Sequence, residues 1–279
     1  MFQYALAIAL QQKNLEETVF IDISHFHGYH LHSGFELQRI FDIQFPIAKR
    51  RCLMRLTYYI PHYTLSRFFR RILPRKKTEY IGQSTYQYDE KVFSVHGNCY
   101  FEGYWQSPKY FEAYRSVVIN AFRFPTFIDF DNMAAEKQMK AENSVVLHVR
   151  RGDYVESEKF ARICTLDYYR KAIETVVKKI QSPRFFIFSN DIDWCKDNIA
   201  PMIQKYDVSF IDFNTGKNSY RDMHLMSLAR CCIVANSSFS WWGAWLNERN
   251  DKIVIAPSRW VNGSDSIDIY PSDWLLISL

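Results

Sequence analysis

Several common signatures are missing from these 279 residues. Six cysteines stand at 52, 99, 164, 195, 231 and 232, with no Cys-x-x-Cys pair among them. Cys231 and Cys232, as neighbours on a strand, point to opposite faces. This excludes an ordinary zinc site and a disulfide scaffold, and it fits a reducing compartment. No apolar run approaches the roughly 20 residues of a membrane span. The opening MFQYALAIAL is apolar, but has neither a basic n-region nor a small-residue cleavage site. The expected location is cytoplasmic, with peripheral contact at the inner face of a membrane as a further option. Without export, the sequons at Asn236-Ser237-Ser238 and Asn262-Gly263-Ser264 have no consequence. There is no GxGxxG, no GxxxxGK[ST] and no GxSxG, so dinucleotide, P-loop and serine-hydrolase readings lack support. No internal repeat or low-complexity segment occurs. The net charge is only +5, from 35 Lys and Arg against 30 Asp and Glu. That is too little for nucleic acid, but it suits a phosphate-bearing ligand or an anionic surface.

What is present begins with a large apolar share, 48%, of which 17 percentage points are aromatic, with 22 Phe, 18 Tyr and 7 Trp. A real core can form. Most such rings fill cores; some line sites that grip flat or sugar-like ligands. Much of the basic excess is local. Arg67, Arg70, Arg71, Arg75, Lys76 and Lys77 lie in RFFRRILPRKK, interleaved with Phe68, Phe69, Ile72 and Leu73. This reads either as a solvated helix face or as a membrane-surface element.

The first element expected is a helix over 2–13, and TVFID at 18–22 reads as a short buried strand. Residues 24–140 are aromatic, basic and hard to parse; in GYWQSPKYFEAYR (103–115), Pro108 suits a helix's first turn. DNMAAEKQMKAEN (131–143) reads as a polar helical linker, which places domains at 1–142 and 143–279. Beyond it the order becomes regular. Strands are expected at 144–149, 184–189, 208–213, 231–235 and 252–256. Helices are expected at 167–181, from about 191, and at 219–230 and 237–247. Such alternation implies an α/β fold with a covered parallel sheet, and ligands of such sheets sit at the carboxyl ends of the strands.

That rule gathers the residues with chemistry. VVLHVRRGDY (145–154) runs from a buried strand directly into Arg150, Arg151, Gly152 and Asp153. Guanidinium forks bind phosphate oxygens in bidentate fashion, although two arginines at a strand end can also be mere salt-bridge partners. Asn236-Ser237-Ser238 follows another strand and opens a helix, where free N–H groups and hydroxyls make an anion site. Ser189-Asn190-Asp191 and the turn before Asp222 complete the same edge. Together these groups could neutralise a pyrophosphate without metal. His148 is either a base or a structural strand histidine. Asp129-Phe130-Asp131 and Asp191-Ile192-Asp193 form DxD patterns, which can hold a divalent ion against a diphosphate; Asp191 also reads as a helix N-cap. No metal is expected. Arg151-Gly152-Asp153, the adhesion tripeptide, is read as coincidence.

HVRRGDY, taken with MFQYALA, GYWQSPKYF, FFIFSNDIDWCK and DMHLMSLARCCIVANSSFSWWGAWLN, resembles the glycosyltransferases of family 11, the α-1,2-fucosyltransferases. The resemblance runs along most of the chain. It implies a GT-B-like architecture of two Rossmann-type domains with a cleft between them, the N-terminal one on the acceptor side and the C-terminal one binding the GDP-sugar. It implies GDP-β-L-fucose as donor, inversion at the anomeric carbon, and the 2-hydroxyl of a terminal galactose as acceptor, on an oligosaccharide or a lipid-linked glycan. It also implies that no metal cofactor is needed. By similarity, Arg150 contacts the β-phosphate, with Arg151 and Asp153 in support. Asp222 lies near the guanine and Ser237 and Ser238 near the pyrophosphate. From their place on the same sheet edge, Asn190 and Asn236 complete the donor-side set. Asp153 and His148 are the candidates for a base. Members of the family usually have a strand and a GGLGNQ turn before MFQYA, where this sequence begins at the Met. The expectation is that these residues fold or turn over less well than a form with that turn; equal melting temperatures and rates would refute it. Two other readings stay open: a metal-dependent transferase using another sugar nucleotide through a DxD, and a GDP-sugar-binding remnant with little catalysis.

Overall fold

The computed structural model describes all residues except 27–33, 83–85 and 265–266, and leaves out the side chains at 63, 67 and 267. The chain divides into two compact units. The first comprises Met1–Pro125 with Ile267–Tyr270, and the second Thr126–Ser266 with Pro271–Leu279.

The first unit is built around α1 (Phe2–Lys13), whose Phe2, Tyr4, Ala5, Leu6, Ala7, Ile8 and Ala9 are all buried. A helix apolar on nearly every side needs cover on every side. Phe111 lies against Phe2, and Phe122 against Tyr4 and Phe41. Short helices follow: α2 (Leu37–Ile40), α3 (Arg50–Leu56), α4 (Tyr63–Phe69) and α5 (Arg115–Ala121). Two short strands, β1 (Glu79–Ile81) and β2 (Tyr100–Glu102), pair in parallel. The expected strand at 18–22 shrinks to one parallel bridge, Ile21 to Ile47. The Asp22 carboxylate accepts the Ser24 N–H at 2.8 Å, and this local turn takes the backbone out of the strand. Pro108 opens a single 3-10 turn capped by Ser107. Residues 267–270 belong here because the Asp268 carboxylate accepts the Tyr88 N–H and pairs with Lys109.

The second unit begins with α6 (Phe130–Met139), followed by β3 (Ser144–Val149), α7 (Leu166–Val177), β4 (Arg184–Ser189), α8 (Ile192–Asn198) and α9 (Ala200–Ile203). Then come β5 (Asp207–Ile211), α10 (Tyr220–Met226), β6 (Cys231–Ile233), α11 (Ser238–Trp245), β7 (Ile253–Pro257) and β8 (Leu275–Ile277). All neighbouring strands pair in parallel, in the order β5-β4-β3-β6-β7-β8. This is the doubly wound 3-2-1-4-5-6 order, and the winding reverses between β3 and β6.

The alternation of β3 side chains shows why both faces are covered. Val145, Leu147 and Val149 join Phe185, Ile187, Cys231, Ile233 and Ile255 under the apolar stripe of α7 and the residues Cys195, Ile199 and Ile203. On the opposite face, α6 packs on β3 and α10, and α10 packs on α11. The segment at 131–143 is therefore part of this unit rather than a linker, and the division falls at Pro125 instead of 142. The helix expected over 219–230 stops at Met226, where the Ser227 hydroxyl donates to the His224 carbonyl at 2.6 Å. Strand β8 went unpredicted; its two leading residues are exposed and it lies at the sheet edge.

Candidate active site

At the carboxyl edge of this sheet the chain leaves β3 into Arg150 and β6 into Val234. The paired residues Leu147 and Ile233 fix the register, so Arg150 and Asn236 each lie three residues beyond the last matched pair of adjacent strands. Adjacent strands run about 4.8 Å apart. Two α7 tyrosines secure this edge. The Tyr168 hydroxyl donates to the Val234 carbonyl at 2.6 Å, and the Tyr169 hydroxyl to the His148 carbonyl at 3.2 Å. Both rings are fully buried. The strand-end carbonyls are thereby satisfied from below.

The turn after β3 depends on Gly152. Its φ is +53°, and a Cβ placed there would sit 2.5 Å from Asn190 Nδ2. Only glycine takes that conformation without strain. Asn190 explains the crowding: its Oδ1 accepts the Arg151 N–H at 2.9 Å, which clips the turn to the end of β4. The Arg151 Nε donates to Asp191 Oδ2 at 2.9 Å, and its Cζ lies 4.2 Å from the centre of the Trp194 ring. Asp191 also caps α8, accepting the Trp194 N–H at 3.2 Å. Arg151 is thus held in place by one carboxylate and one indole. Arg150 is less constrained. It pairs with the exposed Asp153 at 2.6 Å, with its guanidinium 5.3 Å from the Tyr154 ring.

His148 points to the other face of β3, and its ring lies 6.0 Å from that of Phe239. Among the described residues, Nδ1 has no hydrogen-bond partner. Burial, with the Arg150 charge in support, lowers its pKa to about 3. It is a neutral imidazole at ordinary pH and a poor proton acceptor.

The segment after β6 divides its labour. Asn236 faces inward: its Nδ2 donates to the Trp260 carbonyl at 3.1 Å and to the Phe160 carbonyl at 3.3 Å. The Cys164 thiol donates to its Oδ1 at 3.4 Å. With both ends of its amide so engaged, Asn236 braces the loop. Ser237 is the buried N-cap of α11, its hydroxyl accepting the Phe239 N–H at 3.4 Å. Ser238, the first residue of that helix, is exposed. Of the three, it is the side chain open to solvent beside the positive end of α11.

Asp222 sits in the first turn of α10, where Asn214 Nδ2 donates to it at 2.8 Å. Asn214 and Asn132 exchange amide bonds at 2.8 and 2.9 Å, and Asn132 Nδ2 reaches Asp129 at 2.8 Å. Asp129 in turn caps α6 and pairs with Arg221 at 3.0 Å. Burial raises the Asp222 pKa to about 7; the Asn214 bond opposes this and the Asp212 charge adds to it. Asp129, the first acid of one DxD, is committed to this network, and Asp191, of the other, to Arg151 and α8. Among the described residues, no group of three His, Cys, Asp or Glu side chains could hold a metal ion.

The structure therefore brings Arg150, Arg151, Asp153, Asn190 and the 236–238 turn to one edge of the sheet, with Asp222 on the helix that follows β5. Trp194, Asn132, Asn214 and the two α7 tyrosines escaped sequence reasoning. Trp194 stands four residues after Asn190 in FFIFSNDIDWCK, where its place beside a capped helix start was a usable signal. The Asn132–Asn214 pair spans 82 positions and left none.

A doubly wound parallel unit with a guanidinium-rich turn and a serine-capped helix at its switch point is of the class that binds nucleotides at that edge. The model of Glycosyl transferase family 11 matches residues 64–278, and the chain belongs to that family. It is a family 11 glycosyltransferase. Over 99% of its length it is 34% identical to the Alpha-1,2-colitosyltransferase of Escherichia coli, covering 94% of that protein. Over the same share it is 30% identical to the O-antigen biosynthesis glycosyltransferase WbnK of Escherichia coli, covering 95% of it. A shorter match, 30% over 105 residues, joins 37% of this chain to 28% of the Galactoside alpha-(1,2)-fucosyltransferase 1 of Aotus azarae. A crystal structure of POFUT1 in complex with GDP aligns with a TM-score of 0.41 at 12% identity, covering 91% of this chain and 93% of that one.

Proposed function

We propose that this chain transfers L-fucose from GDP-β-L-fucose to the 2-hydroxyl of a terminal galactose, with inversion at the anomeric carbon. One observation carries this reading. Arg150 and the exposed start of α11 lie at the carboxyl ends of β3 and β6, the two adjacent strands where the winding reverses.

In the step proposed, the acceptor oxygen attacks the anomeric carbon as the bond from that carbon to the β-phosphate oxygen breaks. The electron pair leaves with GDP, and the acceptor proton is lost to a base or to water. Charge grows on the leaving phosphate, so a guanidinium held there stabilises the transition state more than the ground state. Arg150 is suited to this because its present partner, Asp153, is exposed and can give way to phosphate. Arg151, pinned by Asp191 and Trp194, acts as the rigid second cation. Asp153 is the better candidate for the base, since His148 is neutral and buried. Asp222 would accept N–H groups of the guanine, and Ser238 with its N–H would meet the pyrophosphate.

A second reading, transfer of a colitosyl residue in the same linkage, is favoured by the 34% identity over 99% of the chain. GDP release in the presence of galactose-terminated glycans, with GDP-fucose and GDP-colitose compared and EDTA added in parallel, separates the readings. The expected result is EDTA-resistant, galactoside-dependent release with GDP-fucose. Arg150→Ala should lower it by a few hundred-fold, about 3 kcal/mol. Release only with GDP-colitose would replace the donor, and loss with EDTA would sink the metal-free mechanism.

A further inference from the structure

Charge is distributed very unevenly along this chain. Residues 43–78 contain ten Lys and Arg and no Asp or Glu. The whole chain has 35 cations against 30 anions, so the segment carries +10 and the remainder −5. This segment forms α3, α4 and the turn that follows. Arg70 pairs with Glu102, and Lys76 turns inward, its Nζ donating to the carbonyls of Met54 at 3.1 Å and Thr57 at 2.9 Å. The Thr78 hydroxyl reaches the Leu56 carbonyl at 2.6 Å. These bonds join the 70–78 turn to the end of α3, so the two helices and the turn form one surface.

Other described cations of the segment face solvent. Arg50, Arg51, Arg55, Arg71, Arg75 and Lys77 are exposed and make no ion pair among the described residues. Between them stand large apolar side chains that the fold does not cover: Ile72 is 64% exposed, Phe68 57%, Met54 55% and Leu65 50%. Packing does not explain why such side chains recur on a surface this basic.

We propose that α3, α4 and residues 70–77 form a docking surface for an anionic lipid bilayer. The cations meet the head groups, and Met54, Leu65, Phe68 and Ile72 enter the acyl boundary. The composition favours lipid over other polyanions. Three of the five exposed large apolar side chains on this surface, Met54, Leu65 and Ile72, are aliphatic and offer no face on which a base could stack; Phe68 and Phe69 are the two aromatic ones. A second copy on the same patch would set one strongly basic surface against another. The surface lies wholly in the first unit, whereas the proposed donor-binding residues lie in the second.

The test is flotation of the full chain with phosphatidylcholine vesicles, with and without phosphatidylglycerol, at low and high salt. Two surface variants are compared with the parent: Arg71→Glu/Arg75→Glu/Lys77→Glu and Phe68→Ser/Ile72→Ser. Circular dichroism and GDP binding confirm that both remain folded. The expected result is capture by the phosphatidylglycerol vesicles at least about tenfold above phosphatidylcholine alone, weakened by salt, with each variant losing about tenfold or more. Equal capture by neutral vesicles, no capture, or capture unchanged in both variants would overturn the proposal. So would a dimer of the parent chain that Phe68→Ser/Ile72→Ser dissociates, or vesicle binding that is unaffected while the charge variant loses affinity for a single-stranded oligonucleotide.

Discussion

Gly152 is tightly constrained in the candidate site. Its φ of +53° and the 2.5 Å approach of a Cβ to Asn190 Nδ2 act together. Gly152→Ala must either relax the turn or push Asn190 off the Arg151 N–H. A stability loss of about 1–3 kcal/mol is expected, read from the denaturant midpoint, with a further drop in transfer rate as Arg150 moves. An unchanged midpoint would mean that the turn adapts freely. Asp222 gives a pH signature. Its folded pKa of about 7 lies above the unfolded value of about 4, so between these limits the native state binds more protons. Stability should therefore fall as pH rises through that window, and Asp222→Asn should flatten the fall. GDP affinity should move the opposite way, rising with pH as the carboxylate ionises to accept guanine N–H groups. Affinity independent of pH would remove Asp222 from the guanine site.

At the scale of elements, the contact between α10 and α11 links both halves of the candidate site. Gly243 lies within it, and an added Cβ would meet Met226 Cβ at 2.9 Å. The neighbouring Trp241, Trp242 and Trp245 are fully buried and leave little room for adjustment. Gly243→Ala should separate the helices, costing about 1–3 kcal/mol in stability. Because α10 carries Asp222 and α11 carries Ser238, KM for the donor should rise with the loss. Full stability together with unaltered KM would show that the helices accommodate the methyl. Sequence pattern served these elements well where they are uninterruptedly apolar or carry one clear apolar stripe. The whole of β4 and the face of α7 were legible, since uninterrupted apolar runs and a 3.6-residue stripe leave few alternatives. Around 18–22 and 220–230, a serine or aspartate side chain ended an element that periodicity would have extended.

At the scale of the whole molecule, the two units make a prediction of their own. If the donor site lies at the switch point, hydrogen exchange with saturating GDP should slow most at 150–153, 214–222 and 236–238, all in the second unit. Protection confined to the first unit would refute this. Adding the ligand should also raise stability by about 2.7 kcal/mol at a hundredfold excess over Kd.

The sequence by itself determined that the second half is a parallel α/β unit, that Arg150 and Arg151 stand at a strand end, and that Ser237 opens a helix. These are local facts, fixed by period, by capping and by a strand running into two arginines. Only the tertiary structure decided what each polar group faces. It turned Asn236 inward to the Phe160 and Trp260 carbonyls and left Ser238 exposed. It took up Asp191 with Arg151, left His148 buried and neutral, and drew 131–143 onto β3. Each outcome depends on partners distant in the chain, since a buried donor or charge must find its complement wherever the fold supplies one.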